Sequence, residues 1–121
     1  MAFIAKLANR MKVDALVVKG SLDVICTQDS YSTCEVNGGW KRCGGIGDVL
    51  AGVLAALVGW NKSGDLIPTL WIGCAIVREA TRRAFVERKR EMGPKDVLGE
   101  IGGVVDEIDP IFTETTDDRI K

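Results

Sequence analysis

Residues 42–57 read RCGGIGDVLAGVLAAL, and two physical regimes meet inside them. Gly44, Gly45 and Gly47 have no Cβ, so the backbone there can turn successive N–H groups toward one point and let a bulky anion come close. From Val49 to Trp60 the side chains are almost all small or aliphatic, which predicts a nearly all-buried helix starting near Asp48. A helix start behind a glycine-rich loop adds unpaired amides and the positive end of the helix dipole, a favourable seat for a phosphate. Upstream, Gly38, Gly39 and Trp40 lengthen the loop, Lys41 and Arg42 bring positive charge, and Cys43 and Ile46 complete it.

Asp48 closes this loop. A helix start keeps a carboxylate ionised, and an ionised carboxylate beside bound phosphate can take a proton from a substrate hydroxyl that attacks a γ-phosphoryl group. The same residue also reads as an ordinary N-cap, with the glycines forming no more than a turn. The residues by themselves leave both readings open.

Ahead of the loop, Ala15 to Val18 is a short apolar run closed by Lys19-Gly20, as expected of a buried strand. Asp23 to Thr27 and Tyr31 to Val36 are β-rich and separated by Gln28-Asp29-Ser30, which predicts a hairpin, and Asn37-Gly38-Gly39 is a turn signal after it. Between the first two strands stands Lys19-Gly20-Ser21-Leu22-Asp23. A lysine at a strand end can reach a phosphate over a glycine that admits a nucleotide, although a surface lysine beside a turn is the commoner use of that pair. Behind the loop, Leu66 to about Arg90 predicts a further helix, ended by Gly93-Pro94, and Lys95 to Ile108 predicts the last one. Gly102 and Gly103 each cost that helix about 1 kcal/mol relative to alanine, a cost that close helix packing would justify. Thr113 to Lys121 is a polar tail expected to fray. Strands and a hairpin followed by three helices, with short connections, give an α/β layered arrangement in a single unit covering residues 1–121.

Composition sets the outer limits. Of 121 residues, 46% are hydrophobic and 27% charged, values of a globular chain with its own core. A net charge of −1 provides no general attraction for nucleic acid or an acidic membrane surface, so bound phosphate must be held locally. The basic run Arg82, Arg83, Arg88, Lys89 and Arg90 alternates with Glu79, Glu87 and Glu91 and reads as a solvated helix face with i,i+4 pairs. No apolar run reaches the length of a membrane span. Cys26, Cys34, Cys43 and Cys74 show no CxxC spacing and there is no histidine, which argues against a zinc site, a disulfide framework and histidine-based catalysis. Cys43 reads as a packed thiol, and Trp40, Trp60 and Trp71 as packing residues rather than ring-stacking ones. The opening MAFIAKLANRMK is basic and free of acidic residues; it predicts an amphipathic helix, and its transit-peptide-like composition leaves cytoplasmic and mitochondrial placement both open.

Taken together in this order, LVVKGSLDVI, a hairpin and RCGGIGDVLAGVLAAL resemble the C-terminal half of the ATP-dependent NAD(P)H-hydrate dehydratases of the ribokinase-like superfamily. The resemblance runs from about Ala15 to about Ile108, with RCGGIGDVLAG its most specific element. It implies a partial ribokinase-like domain, Rossmann-like in its layering. It also implies ATP contacts from Lys19, Gly20, Ser21, Leu22 and Asp23 and from Gly38, Gly39, Trp40, Lys41, Arg42, Cys43, Gly44, Gly45, Ile46 and Gly47. Asp48 would touch the hydrated nicotinamide and act as catalytic base.

The implied reaction repairs NADH or NADPH whose ring has gained water: ATP phosphorylates the added hydroxyl, phosphate departs and the dihydronicotinamide returns. Mg2+ would bridge the ATP phosphates, and the chain shows no ligand motif for it. Members of that family have a longer domain whose N-terminal half supplies more strands and much of the substrate site. A half-sheet leaves an edge and an apolar face open, both of which favour self-association. Two alternatives share the residues: a small-molecule kinase of the hydroxymethylpyrimidine or hydroxyethylthiazole type, in which the same aspartate activates a hydroxyl without elimination, and a noncatalytic fragment.

Overall fold

The computed structural model describes residues 2–109; the polar tail from Thr113 lies outside them. Helix α1 (Ala2–Met11) leads into three short strands, β1 (Leu16–Val18), β2 (Asp23–Cys26) and β3 (Tyr31–Cys34). Three helices follow: α2 (Ile46–Trp60), α3 (Leu66–Arg88), which runs into a 3-10 turn at Lys89–Glu91, and α4 (Pro94–Ile108). The strands form an antiparallel meander in the order β1-β2-β3, with Val17 opposite Ile25 and Ile25 opposite Ser32. Thr27 and Ser30 close the β2–β3 hairpin, the Thr27 amide donating to the Ser30 carbonyl at 2.8 Å.

Helix α3 is the hub, packing on α2, on α4 and on β2 and β3. Its buried stripe of Leu70, Cys74, Val77, Ala80, Thr81 and Ala84 repeats at three and four residues, the spacing that puts side chains on one helix face. Around it gather Ile25 and Cys34 from the sheet, Ile46 and Leu50 from α2, and Met92, Val97 and Val104 from the chain around α4. The basic run is paired in part: Arg82 and Arg83 both hold Glu79, at i,i+3 and i,i+4, and Arg83 also reaches Glu107 on α4 at 2.6 Å, while Lys89 and Arg90 form no ion pair among the described residues. Helix α4 opens with Pro94 behind Gly93, whose amide donates to the Asp96 carboxylate at 2.9 Å.

Three local expectations change. Helix α2 is not all-buried: Asp48, Ala51, Gly52, Ala55, Ala56, Gly59 and Trp60 are exposed, because one side packs on α3 and α4 and no described residue covers the other. Asn37-Gly38-Gly39 makes no turn; the segment runs extended along α3, where a Cβ on Gly39 would stand 2.9 Å from Thr81. Gly102 and Gly103 face little, the nearest atom being an Arg83 nitrogen 3.8 Å from a Cβ at 103, whereas Gly73 is the close-packing glycine, its would-be Cβ 2.5 Å from Leu54 of α2.

Candidate functional site

The helix start behind the glycine loop is built by a glycine and not by an acidic cap. Gly45 is the N-cap of α2, with φ of 102°, a left-handed conformation that L side chains rarely adopt, and a Cβ there would strike the Pro94 ring at 2.5 Å. The first α2 amide to find a carbonyl outside the helix proper is that of Val49, which donates to Gly45 at 3.2 Å. The amides of Ile46, Gly47 and Asp48 precede that bond and point out of the helix end, as the first turn of any helix requires. Asp48 stands in the first turn with its side chain exposed and makes no capping hydrogen bond. The N-cap reading of Asp48 is thereby overturned.

Beside this helix start opens a cleft of about 620 Å³, within the range of small-molecule sites. One wall is the β1–β2 connection, with Lys19, Gly20, Ser21 and Asp23; the other is the loop from Gly38 through Cys43, continued by Ile46 and Gly47. Helix α3 forms the floor with Cys74, Val77, Arg78 and Thr81, and Leu50, Glu35 and Asn37 complete the lining. Of the residues singled out from sequence, Leu22, Gly44, Gly45 and Asp48 do not line it, although Gly45 and Asp48 flank the helix turn that does. Segments that lie apart in the chain, 19–23 and 38–47, thus share one cavity.

The charges in the cleft have distinct duties. Asp23 is buried at 1% exposure, accepts the Gly20 amide at 3.4 Å and pairs with Arg78 at 3.2 Å. Its carboxylate shapes the 19–23 turn from beneath. The Lys41 ammonium donates to the carbonyls of Arg90 and Met92 at 2.5 and 2.9 Å, tying the glycine loop to the 3-10 turn that follows α3. Lys19 and Arg42 form no ion pair among the described residues and stand as the cations available to an anion in the cleft. Burial, helped by the negative charge of Asp23, pushes the Cys74 thiol up to about 12, so the floor of the cleft carries a neutral thiol at physiological pH. No group of three or more His, Cys, Asp or Glu side chains converges as a metal site among the described residues, and no helix there is long and apolar enough to cross a membrane.

Arg78 escaped the sequence reading. Its signal was present: it is the first charged residue of α3, four after Cys74 and three before Thr81, on the stripe that the apolar spacing marks as buried. Trp40 also departs from expectation, standing 92% exposed at the rim of the cleft where packing was expected. Trp71 does pack, its indole N–H donating to the Thr33 carbonyl at 2.9 Å. Cys43 is half-buried on the cleft wall.

A family profile described as NAD(P)H-hydrate dehydratase matches residues 2–102. The chain belongs to the NAD(P)H-hydrate dehydratase family. This family is ribokinase-like, and the three-stranded sheet with its helices is a mixed α/β part of that fold. Among its relatives, the ATP-dependent (S)-NAD(P)H-hydrate dehydratase of Mus musculus is 32% identical over 80% of this chain and 31% of its own length. The protein of the same name from Mycosarcoma maydis is 35% identical over 85% of this chain and 36% of its own, and that of Homo sapiens 28% over 82% and 31%. The chain therefore spans about a third of the length of these dehydratases.

Proposed function

We propose that this chain carries the ATP-binding segment and the catalytic aspartate of an ATP-dependent NAD(P)H-hydrate dehydratase. The observation that carries the reading is the shared cleft: the Lys19–Asp23 turn and the glycine-rich loop, separated in sequence by a hairpin, face one cavity beside the first turn of α2. The relatives from Mus musculus and Mycosarcoma maydis are described as ATP-dependent. In this reading the backbone from Gly38 to Gly47 receives the ATP phosphates, with unpaired helix amides and the cations Lys19 and Arg42 opposing their charge. The backbone is open at Gly44, where a Cβ would meet nothing within 4 Å, whereas Gly39 is closed against Thr81 of α3.

Mg2+ would be held there by ATP phosphate oxygens, retained waters and one or two carboxylates, for which the cleft lining offers Glu35 and the Arg78-paired Asp23. Bound there, it would neutralise charge on the transferring phosphoryl group.

Asp48, exposed and uncapped one residue beyond the cleft lining, is placed by this reading against the hydrated nicotinamide ring. Its carboxylate takes the proton of the added hydroxyl as that oxygen attacks the γ-phosphorus of ATP, and ADP leaves. The carbon–oxygen bond then breaks with phosphate as leaving group, the ring loses a proton, and the dihydronicotinamide is restored. Phosphate leaves far more readily than hydroxide, so ATP cleavage drives the dehydration.

The test uses hydrated NADH, MgATP and the chain, both as it stands and extended to the length of its relatives. Expected is recovery of the dihydronicotinamide absorbance with one ADP and one phosphate released per turnover. Accumulation of a stable phosphorylated product with no recovered chromophore would replace the dehydratase reading by a kinase.

A further inference from the structure

The geometry points to Arg78 as the positioning residue of the nucleotide cleft, a clamp that sets the separation and shape of its walls. This rests on the reading of the cleft as a nucleotide site. Arg78 projects from α3, between Cys74 and Thr81 of its buried stripe, and its side chain is 17% exposed. Its guanidinium reaches one wall and the segment that leads into the other. Nη1 pairs with the buried Asp23 carboxylate at 3.2 Å and donates to the Gly20 carbonyl at 3.4 Å, and Nη2 donates to the Ser21 carbonyl at 2.5 Å. On the other side Nε donates to the Val36 carbonyl at 2.5 Å, just before the chain enters Gly38-Gly39.

One planar fork thus holds the 19–23 turn and the approach to the glycine loop against the same helix. A lysine has no such fork and can satisfy only part of the set. The pairing has an electrostatic consequence too. The Asp23 carboxylate sits beneath a cavity proposed to take phosphates, where its uncompensated charge would repel them, and the guanidinium cancels that charge from below. Because Nε, Nη1 and Nη2 are all engaged by Val36, Gly20, Asp23 and Ser21, Arg78 acts on a ligand by holding the walls.

The experiment compares wild type with Arg78→Lys, Arg78→Met and the double variant Arg78→Met/Asp23→Asn, reading folding by circular dichroism, local opening by amide hydrogen exchange and binding by MgATP titration. Removal of the cation alone strands a buried carboxylate and can unfold the chain. The double variant removes both charges and restores the fold. Expected is faster exchange confined to residues 20–22 and 36–39, with MgATP binding weakened about tenfold or more in the double variant and by less in Arg78→Lys. A residue serving stability alone would instead let binding recover together with the fold, and that outcome overturns the proposal. Wild-type chain that takes up no MgATP overturns the nucleotide reading and this inference with it. Wild type and the double variant binding alike overturns the inference and leaves the reading standing.

Discussion

Asp48 and Gly45 divide a task that the sequence assigned to one residue. Gly45 ends the loop and starts the helix by adopting φ of 102°, which leaves the Asp48 carboxylate without a structural partner in the first turn. An exposed, uncapped carboxylate is available for proton transfer, so in a chain extended to the length of its relatives Asp48→Asn is expected to lower turnover at least about a hundredfold while MgATP affinity stays within about twofold. Unchanged turnover would remove Asp48 from the mechanism. The two glycines ahead of it separate structure from binding. Gly45→Ala combines a left-handed backbone with a clash against Pro94 and should cost about 1–3 kcal/mol in a thermal melt. A Cβ at Gly44 meets nothing within 4 Å, so Gly44→Ala should stay within about 0.5 kcal/mol of wild type. If the loop cradles phosphate, that variant nevertheless binds MgATP more weakly; equal binding would argue that position 44 has no part in the cradle. A third residue sets acid sensitivity. Hydrogen bonds from Arg82, and then from Arg83, hold Glu79 down at about 2 against an ordinary 4.5. The folded chain keeps Glu79 ionised where the unfolded chain protonates it, so this stabilisation is present above pH 4.5 and fades as pH falls toward 2. Thermal midpoints measured across that window should fall more steeply for wild type than for Glu79→Gln.

Among the elements, α2 and α3 show how a periodic sequence can conceal what it packs against. The run Val49 to Trp60 is apolar on every side, so its composition predicts burial all round, yet only one face meets α3 and α4. Which face is covered depends on partners remote in sequence. The contact itself depends on Gly73, which lets Leu54 and Leu57 of α2 lie against the α3 backbone. Gly73→Ala gains helix propensity of about 1 kcal/mol but must displace Leu54, and overpacking of that kind costs about 1–3 kcal/mol, so a net loss of stability is expected. Pairing it with Leu54→Ala should give a clearly non-additive double-mutant cycle; strict additivity would mean that the two side chains do not meet. The strands were readable from β-rich runs and the residues between them, whereas Asn37-Gly38-Gly39 was misread, because the same glycines that make turns also let an extended segment lie close on a helix.

At the scale of the whole molecule, a ligand in the cleft bridges the sheet side and the helical side, which otherwise communicate through α3. A nucleotide that binds the folded chain alone must therefore raise its unfolding temperature, by the equivalent of about 2.7 kcal/mol at a hundred times its dissociation constant. A melt indifferent to MgATP and MgADP would count against nucleotide binding by this chain. The element order and the helix start within two residues of Asp48 were legible in the linear chain, because hydrophobic period and turn chemistry are local properties of sequence, and the family was legible from the resemblance carried by LVVKGSLDVI and RCGGIGDVLAGVLAAL. The antiparallel register, the exposed side of α2, the neutral thiol of Cys74 beneath the cleft and the reach of Arg78 to Asp23, Ser21 and Val36 were decided by tertiary structure alone. Each of those is a relation between residues distant along the chain, fixed by which surfaces meet when the core closes, and no local pattern encodes it.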